Sequence, residues 1–150
     1  MDKQKFQEEL KKSMLAKDEL RTSVLRLLLS AIKYYEIQKG GAGYVASEED
    51  VLSVIQKEVK QRRDSIEEYK KAGRQELVDK EQKELEILQT FLPEQMNEDE
   101  VKKIVEETIK ETGAKTMAEM GKVMGSLNTK LKGKADMGLV SNLVRQRFSS

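Results

Sequence analysis

A single proline, Pro93, interrupts a chain whose apolar residues otherwise recur at three- and four-residue spacing from end to end. That spacing marks one face of a helix, and the period-two alternation of a half-buried strand occurs nowhere. The expected fold class is therefore all-α. A proline disfavours helical geometry in the residue before it, so a helix is expected to end near Leu92, after the apolar stretch Ile87, Leu88, Phe91 and Leu92. A domain boundary placed there gives an N-terminal helical domain, 1–92, and a C-terminal domain, 93–150, near the small end of independently stable domains.

Before Pro93, the four-residue steps of Phe6, Leu10 and Met14 predict a short first helix. Asp18 is placed to cap a second, with Leu20, Val24, Leu27, Leu28, Ala31, Ile32 and Tyr35 on its buried face and Gly40, Gly41 and Gly43 at its end. Ser47 followed by Glu48, Glu49 and Asp50 reads as the cap and acidic first turn of a third helix. Its stripe runs through Val51, Ile55, Val59, Ile66 and Tyr69, with Arg62 intruding, and Gly73 ends it. A fourth helix carries Leu77, Val78, Glu81, Leu85, Leu88, Phe91 and Leu92, and two helices of 20 or more residues suit a long helical hairpin. An Arg on an apolar stripe needs a carboxylate partner, for which Glu81 and Glu84 are the candidates.

After Pro93, three helices are expected. Asn97 caps the first, whose face is Val101, Ile104, Val105, Thr108 and Ile109, and Gly113 stops it. Met117, Met120, Met124, Leu127 and Leu131 form a single stripe on the second, ended by Gly133. Asp136 caps the third, which buries Leu139, Val140, Leu143, Val144 and Phe148.

The residue inventory excludes much chemistry. With no Cys and no His, the chain has no disulfide, thiolate nucleophile, imidazole base or common zinc ligand set, so neither a metal nor a cofactor is expected. The Glu48/Glu49, Glu67/Glu68 and Glu106/Glu107 pairs are adjacent in sequence and diverge by about 100° on a helix, so no catalytic residues are assigned. No apolar run approaches the roughly 18 residues of a membrane span, and the polar start is no signal peptide. A cytoplasmic protein without membrane attachment is the expectation.

The near balance of 28 Lys and Arg against 27 Asp and Glu conceals an asymmetry. Residues 94–111 hold three Lys and seven acids, a net of −4, whereas residues 112–150 hold seven cations and two acids, a net of +5. Lys122, Lys130, Lys132, Lys134, Arg145 and Arg147 are the candidate nucleic-acid contacts, and the helix start near Asp136 adds backbone N–H donors suited to phosphate. By pattern alone, Lys near a helix end more often serves dipole complementarity and solubility, and few aromatics are present for base stacking. Gly121 and Gly125, four apart beside Met120 and Met124, read either as a groove for close approach by a partner or as tight helix packing. Packing is favoured, because a helical Gly costs about 1 kcal/mol and needs a compensating contact.

These residues resemble the YqeY-like family, which is related to the C-terminal tail of the B subunit of the glutamine-dependent tRNA amidotransferase. The resemblance rests on Arg26-Leu27-Leu28-Leu29-Ser30-Ala31-Ile32-Lys33, on Lys57-Glu58-Val59-Lys60-Gln61-Arg62-Arg63-Asp64-Ser65-Ile66, and on Ala72-Gly73-Arg74. It continues through Glu84 to Leu88, Phe91-Leu92-Pro93, Met120-Gly121-Lys122-Val123-Met124-Gly125 and Lys132-Gly133-Lys134-Ala135-Asp136. Asn128-Thr129 departs from the Met-Pro of many relatives. The resemblance implies an all-helical protein whose C-terminal domain is similar to a ubiquitin-associated (UBA-like) three-helix domain. It implies a non-catalytic, tRNA-binding function. The alternative is a protein-interaction adaptor for an amidotransferase or synthetase component. Carbon–nitrogen ligase activity with glutamine as amido donor describes the larger enzyme, and the expectation for this chain leans away from an enzyme.

Overall fold

A computed structural model describes residues 1–149. It is helical throughout, with no strand among the described residues. The backbone divides into two compact units, Met1–Leu92 and Pro93–Ser150.

The first unit holds α1 (Lys3–Leu15), α2 (Glu19–Gly40), α3 (Glu48–Lys71) and α4 (Gln75–Gln89). Capping chemistry sets the boundaries. The carboxylates of Asp2 and Asp18 accept from the N–H groups of Lys5 and Arg21, and Ser47 and Asp50 form a reciprocal capping box at the start of α3. α3 packs along α4 and α1 along α2, while α2 also touches both α3 and α4. The core gathers Phe6, Val24, Leu25, Leu28, Ile32, Val51, Ile55 and Leu88, all essentially inaccessible to solvent. The Phe6 and Phe91 rings meet edge to face at 5.1 Å, and the Arg21 guanidinium lies over the Phe91 ring, 5.1 Å from its centroid.

Three details differ from the sequence expectation. α4 stops at Gln89, so it has 15 residues rather than 20 or more. The last turn tightens instead: Phe91 and Leu92 donate to the carbonyls of Leu88 and Gln89, because Pro93 disfavours a further α turn. The buried face of α2 centres on Val24, Leu25, Leu28 and Ile32, which turns Leu27 to solvent at 51% exposure. The buried stripe also admits an acid, Glu36, because Lys3 and a backbone N–H meet it there.

The second unit holds α5 (Glu98–Thr112), a short 3-10 turn (Met117–Glu119), α6 (Met120–Leu131) and α7 (Met137–Ser149). Asn97 and Glu100 form a capping box, and Gly113 closes α5 in the left-handed region with φ of 69°, a conformation that disfavours any Cβ. The core is Val101, Val105, Ile109, Val123, Leu127, Leu131, Val140 and Val144. The expected stripe of Met117, Met120, Met124, Leu127 and Leu131 buries only in part. Met117 lies in the 3-10 turn at 44% exposure, and Met120 and Met124 are only half-buried while Val123, Leu127 and Leu131 fill the interior. The turn shifts the helix phase, so Met117 is out of register with the residues that follow.

Candidate functional site

The candidate cations are distributed over α6, the turn that follows it, and α7. Folding cancels part of the charge asymmetry between the acidic and basic segments. Lys130, half-buried, donates to Glu111 at 2.7 Å and to the Thr108 hydroxyl at 3.0 Å, and Arg147 reaches Glu106 at 2.8 Å. Acids of α5 thus already hold two of the six candidate phosphate contacts. Lys122, Lys134 and Arg145 are exposed and carry no ion pair among the described residues, and Lys132 is also exposed.

The turn between α6 and α7 is a built feature. Gly133 is buried with φ of 78°, and its carbonyl accepts from the Gln95 side-chain amide at 2.7 Å. The Lys134 carbonyl accepts from the N–H of Met96 at 2.9 Å. These bonds fix the backbone between Lys132 and Lys134, so both side chains project from a defined turn. Lys134 borders a groove that Glu94 and Glu100 also line. The start of α7 is not an open anion site, because the Asp136 carboxylate accepts from Gly138 N–H at 2.8 Å.

Gly121 and Gly125 overturn the packing expectation. Both are exposed, and a Cβ built on either meets nothing within 4 Å. At 100° per residue, Gly121, Gly125, Asn128 and Lys132 fall on one side of α6, with Lys122 and Thr129 at its edge. All six are exposed. The helix backbone is bare over about one turn, and no contact among the described residues accounts for it.

A polar cluster in the first unit has no counterpart among the sequence expectations. Buried Asp50 accepts from the hydroxyls of Tyr44 (2.5 Å) and Tyr35 (2.8 Å), from Lys39 Nζ (3.1 Å) and from the Ser47 N–H (3.0 Å). The Tyr44 hydroxyl, more than any other donor, holds the Asp50 carboxyl well below the usual carboxylate range, with the Ser47 N–H next. The same contacts raise Lys39, chiefly through Tyr35 and then Asp50. Glu36 beside it accepts from Lys3 Nζ and Ala46 N–H, both at 2.7 Å, and lies below its ordinary range for that reason. The arrangement ties the glycine loop to α2 and α3. The S-x-x-D spacing of Ser47 and Asp50 signals the cap, but no local pattern signals that two tyrosines converge on it. No group of three or more Asp or Glu is placed to hold a metal ion among the described residues, and no described helix is long and apolar enough to cross a membrane.

Comparison with known proteins gives a family and a set of relatives. The family described as Yqey-like protein matches residues 3–148. Several yeast proteins named "Altered inheritance of mitochondria protein 41, mitochondrial" are similar to the chain. The one from Lachancea thermotolerans is 42% identical over 87 residues, covering 58% of this chain and 46% of that protein. The one from Vanderwaltozyma polyspora is 38% identical over 87 residues, with the same coverage. The one from Saccharomyces cerevisiae is 32% identical over 127 residues, covering 81% and 68%. The chain therefore spans just under half the length of the first two relatives and about two thirds of the third. Their names correct the expectation of a cytoplasmic protein, since the relatives are mitochondrial proteins. Composition carries no compartment label, and the lack of Cys is only compatible with a reducing environment.

Proposed function

The chain belongs to the YqeY-like protein family, and on that premise we propose that it is a non-catalytic tRNA-binding module whose contact surface is the open side of α6 and the turn that follows, with Arg145 of α7. The observation that carries this reading is the bare backbone at Gly121 and Gly125 beside exposed Lys122, with exposed Lys132 and Lys134 beyond the C-terminal end of the same helix. Glycine in a helix costs about 1 kcal/mol relative to alanine. Among the described residues no packing contact offsets that cost, which leaves close approach of a partner as its use. A sugar–phosphate backbone suits such a strip, because it needs cations and space rather than an apolar pocket.

Lys122, Lys134 and Arg145 are the phosphate contacts in this reading, with Lys132 beside them. Lys130 and Arg147 take structural roles through Glu111 and Glu106. The relation of the family to the tRNA amidotransferase tail supplies the class of nucleic acid, and the reading includes no catalytic step. A gel shift of tRNA with the full chain tests it. The chain should retard tRNA at low salt, and Lys122→Gln, Lys134→Gln and Arg145→Gln together should abolish the shift. No shift with the unaltered chain, or an unchanged shift with the triple variant, contradicts the reading.

A further inference from the structure

The face of α2 that points away from the core is not polar. Leu27, Tyr34 and Ile37 are 51%, 64% and 52% exposed; exposed Ser23 precedes them on the same face and exposed Ser30 lies between Leu27 and Tyr34. Positions 23, 27, 30, 34 and 37 alternate by four and three, the spacing of a seam that receives a second helix. Ser23 and Ser30 alternate with Leu27 and Tyr34, and Ile37 completes about 21 Å of helix, so the surface offers both knobs and holes. Arg26 and Lys33, seven apart, run along one edge of this seam and are exposed. Neither forms an ion pair within 4 Å among the described residues: Arg26 meets the Met14 sulfur at 4.0 Å, and Lys33 acts on the Glu36 carboxylate only through its charge.

From this face the geometry points to a docking site for an amphipathic helix of a partner protein, one that lays an apolar stripe on Leu27, Tyr34 and Ile37 and sets acidic residues against Arg26 and Lys33. The charge pattern selects that occupant. Two exposed cations along the edge of an apolar seam are complemented by carboxylates at the flanking positions of an incoming helix. A second copy of this chain fits less well, because a two-fold antiparallel pairing of α2 would set the Arg26 side of one helix against the Lys33 side of the other, like charge against like. RNA also fits less well, because two of the three large side chains are aliphatic and offer neither stacking nor hydrogen bonds. The site lies in the first unit and does not depend on the tRNA reading of the second.

The test uses the full chain and two synthetic helical peptides of about three heptads, both with Leu at the seam positions. One carries Glu at the flanking positions and the other Lys. Fluorescence anisotropy should show the Glu peptide binding at least tenfold more tightly than the Lys peptide. Leu27→Ser with Tyr34→Ser should weaken the Glu peptide at least tenfold, and Arg26→Glu with Lys33→Glu should invert the preference between the peptides. All four side chains are exposed, so the variants should keep the helical circular dichroism of the parent, which is measured alongside. Equal affinity for the two peptides, no binding of either, or insensitivity to the seam variant overturns the proposal. So does a dimer seen by sedimentation that Leu27→Ser dissociates, which would give the face to a second copy.

Discussion

One guanidinium nitrogen of Arg62 lies 2.7 Å from a carboxylate oxygen of Glu84, joining α3 to α4 through side chains that are 11% and 7% exposed. The same nitrogen reaches Glu81 at 3.2 Å, while Nε of Arg62 is buried without a hydrogen-bond partner among the described residues. An ion pair this dry is costly to break, because the surviving charge stays buried. Arg62→Ala should therefore lower the free energy of unfolding in urea by about 3 kcal/mol. The double variant Arg62→Met with Glu84→Met should recover most of that loss, since apolar residues of similar volume often replace a buried pair at little net cost.

Acid should loosen the first unit before the second. Asp50, Glu36 and Glu9 all lie below their ordinary ranges, held there chiefly by Tyr44, Lys3 and Arg21 respectively. The folded chain therefore binds fewer protons than the unfolded chain at these groups. Their contribution is complete above the ordinary carboxylate value of about 4 and declines as pH falls through it. Thermal unfolding followed from pH 7 to pH 3 should show falling stability below about pH 5. Asp50→Asn should lower stability at pH 7 and flatten that pH dependence.

Gly125→Ala should raise stability and lower function together. The added Cβ meets nothing within 4 Å, so removing a helical glycine should stabilise the chain by about 0.5–1 kcal/mol. In the proposed function the same methyl group holds a tRNA backbone away from α6, so affinity should fall in the gel shift. A loss of stability would show that the open face is misread.

The candidate cations should separate into two classes. Lys130→Gln and Arg147→Gln remove ion pairs that are partly exposed, so each should cost at most about 1 kcal/mol of stability and leave tRNA affinity nearly unchanged. Lys122→Gln and Lys134→Gln should do the reverse, weakening binding with little effect on the unfolding midpoint. A common effect of all four would mean that bulk charge, not placement, governs binding.

The helical elements and their caps were legible because they depend on neighbours three and four residues away. Asp18, Ser47, Asn97 and Gly113 act where local chemistry places them, and the partner of Arg62 followed from its intrusion on an apolar stripe. Features set by distant segments were not legible. Leu27 was expected inside because its spacing fits the buried stripe, but α1, α3 and α4 together decide which side of α2 is covered. Local charge counting likewise could not show that Glu111 and Glu106 hold Lys130 and Arg147. The glycine pair was misread for the same reason, since a neighbour's absence is a tertiary fact.

The salt dependence of tRNA affinity decides between placed phosphate contacts and any other use of this surface. If Lys122, Lys134 and Arg145 each neutralise one phosphate, the logarithm of the association constant should fall against the logarithm of salt concentration with a slope of about −3. Lys122→Gln, Lys134→Gln and Arg145→Gln, each made singly, should bring that slope nearer zero by about 1. A flat response in the unaltered chain, or an unchanged slope in all three single variants, would contradict the assignment of this surface to tRNA.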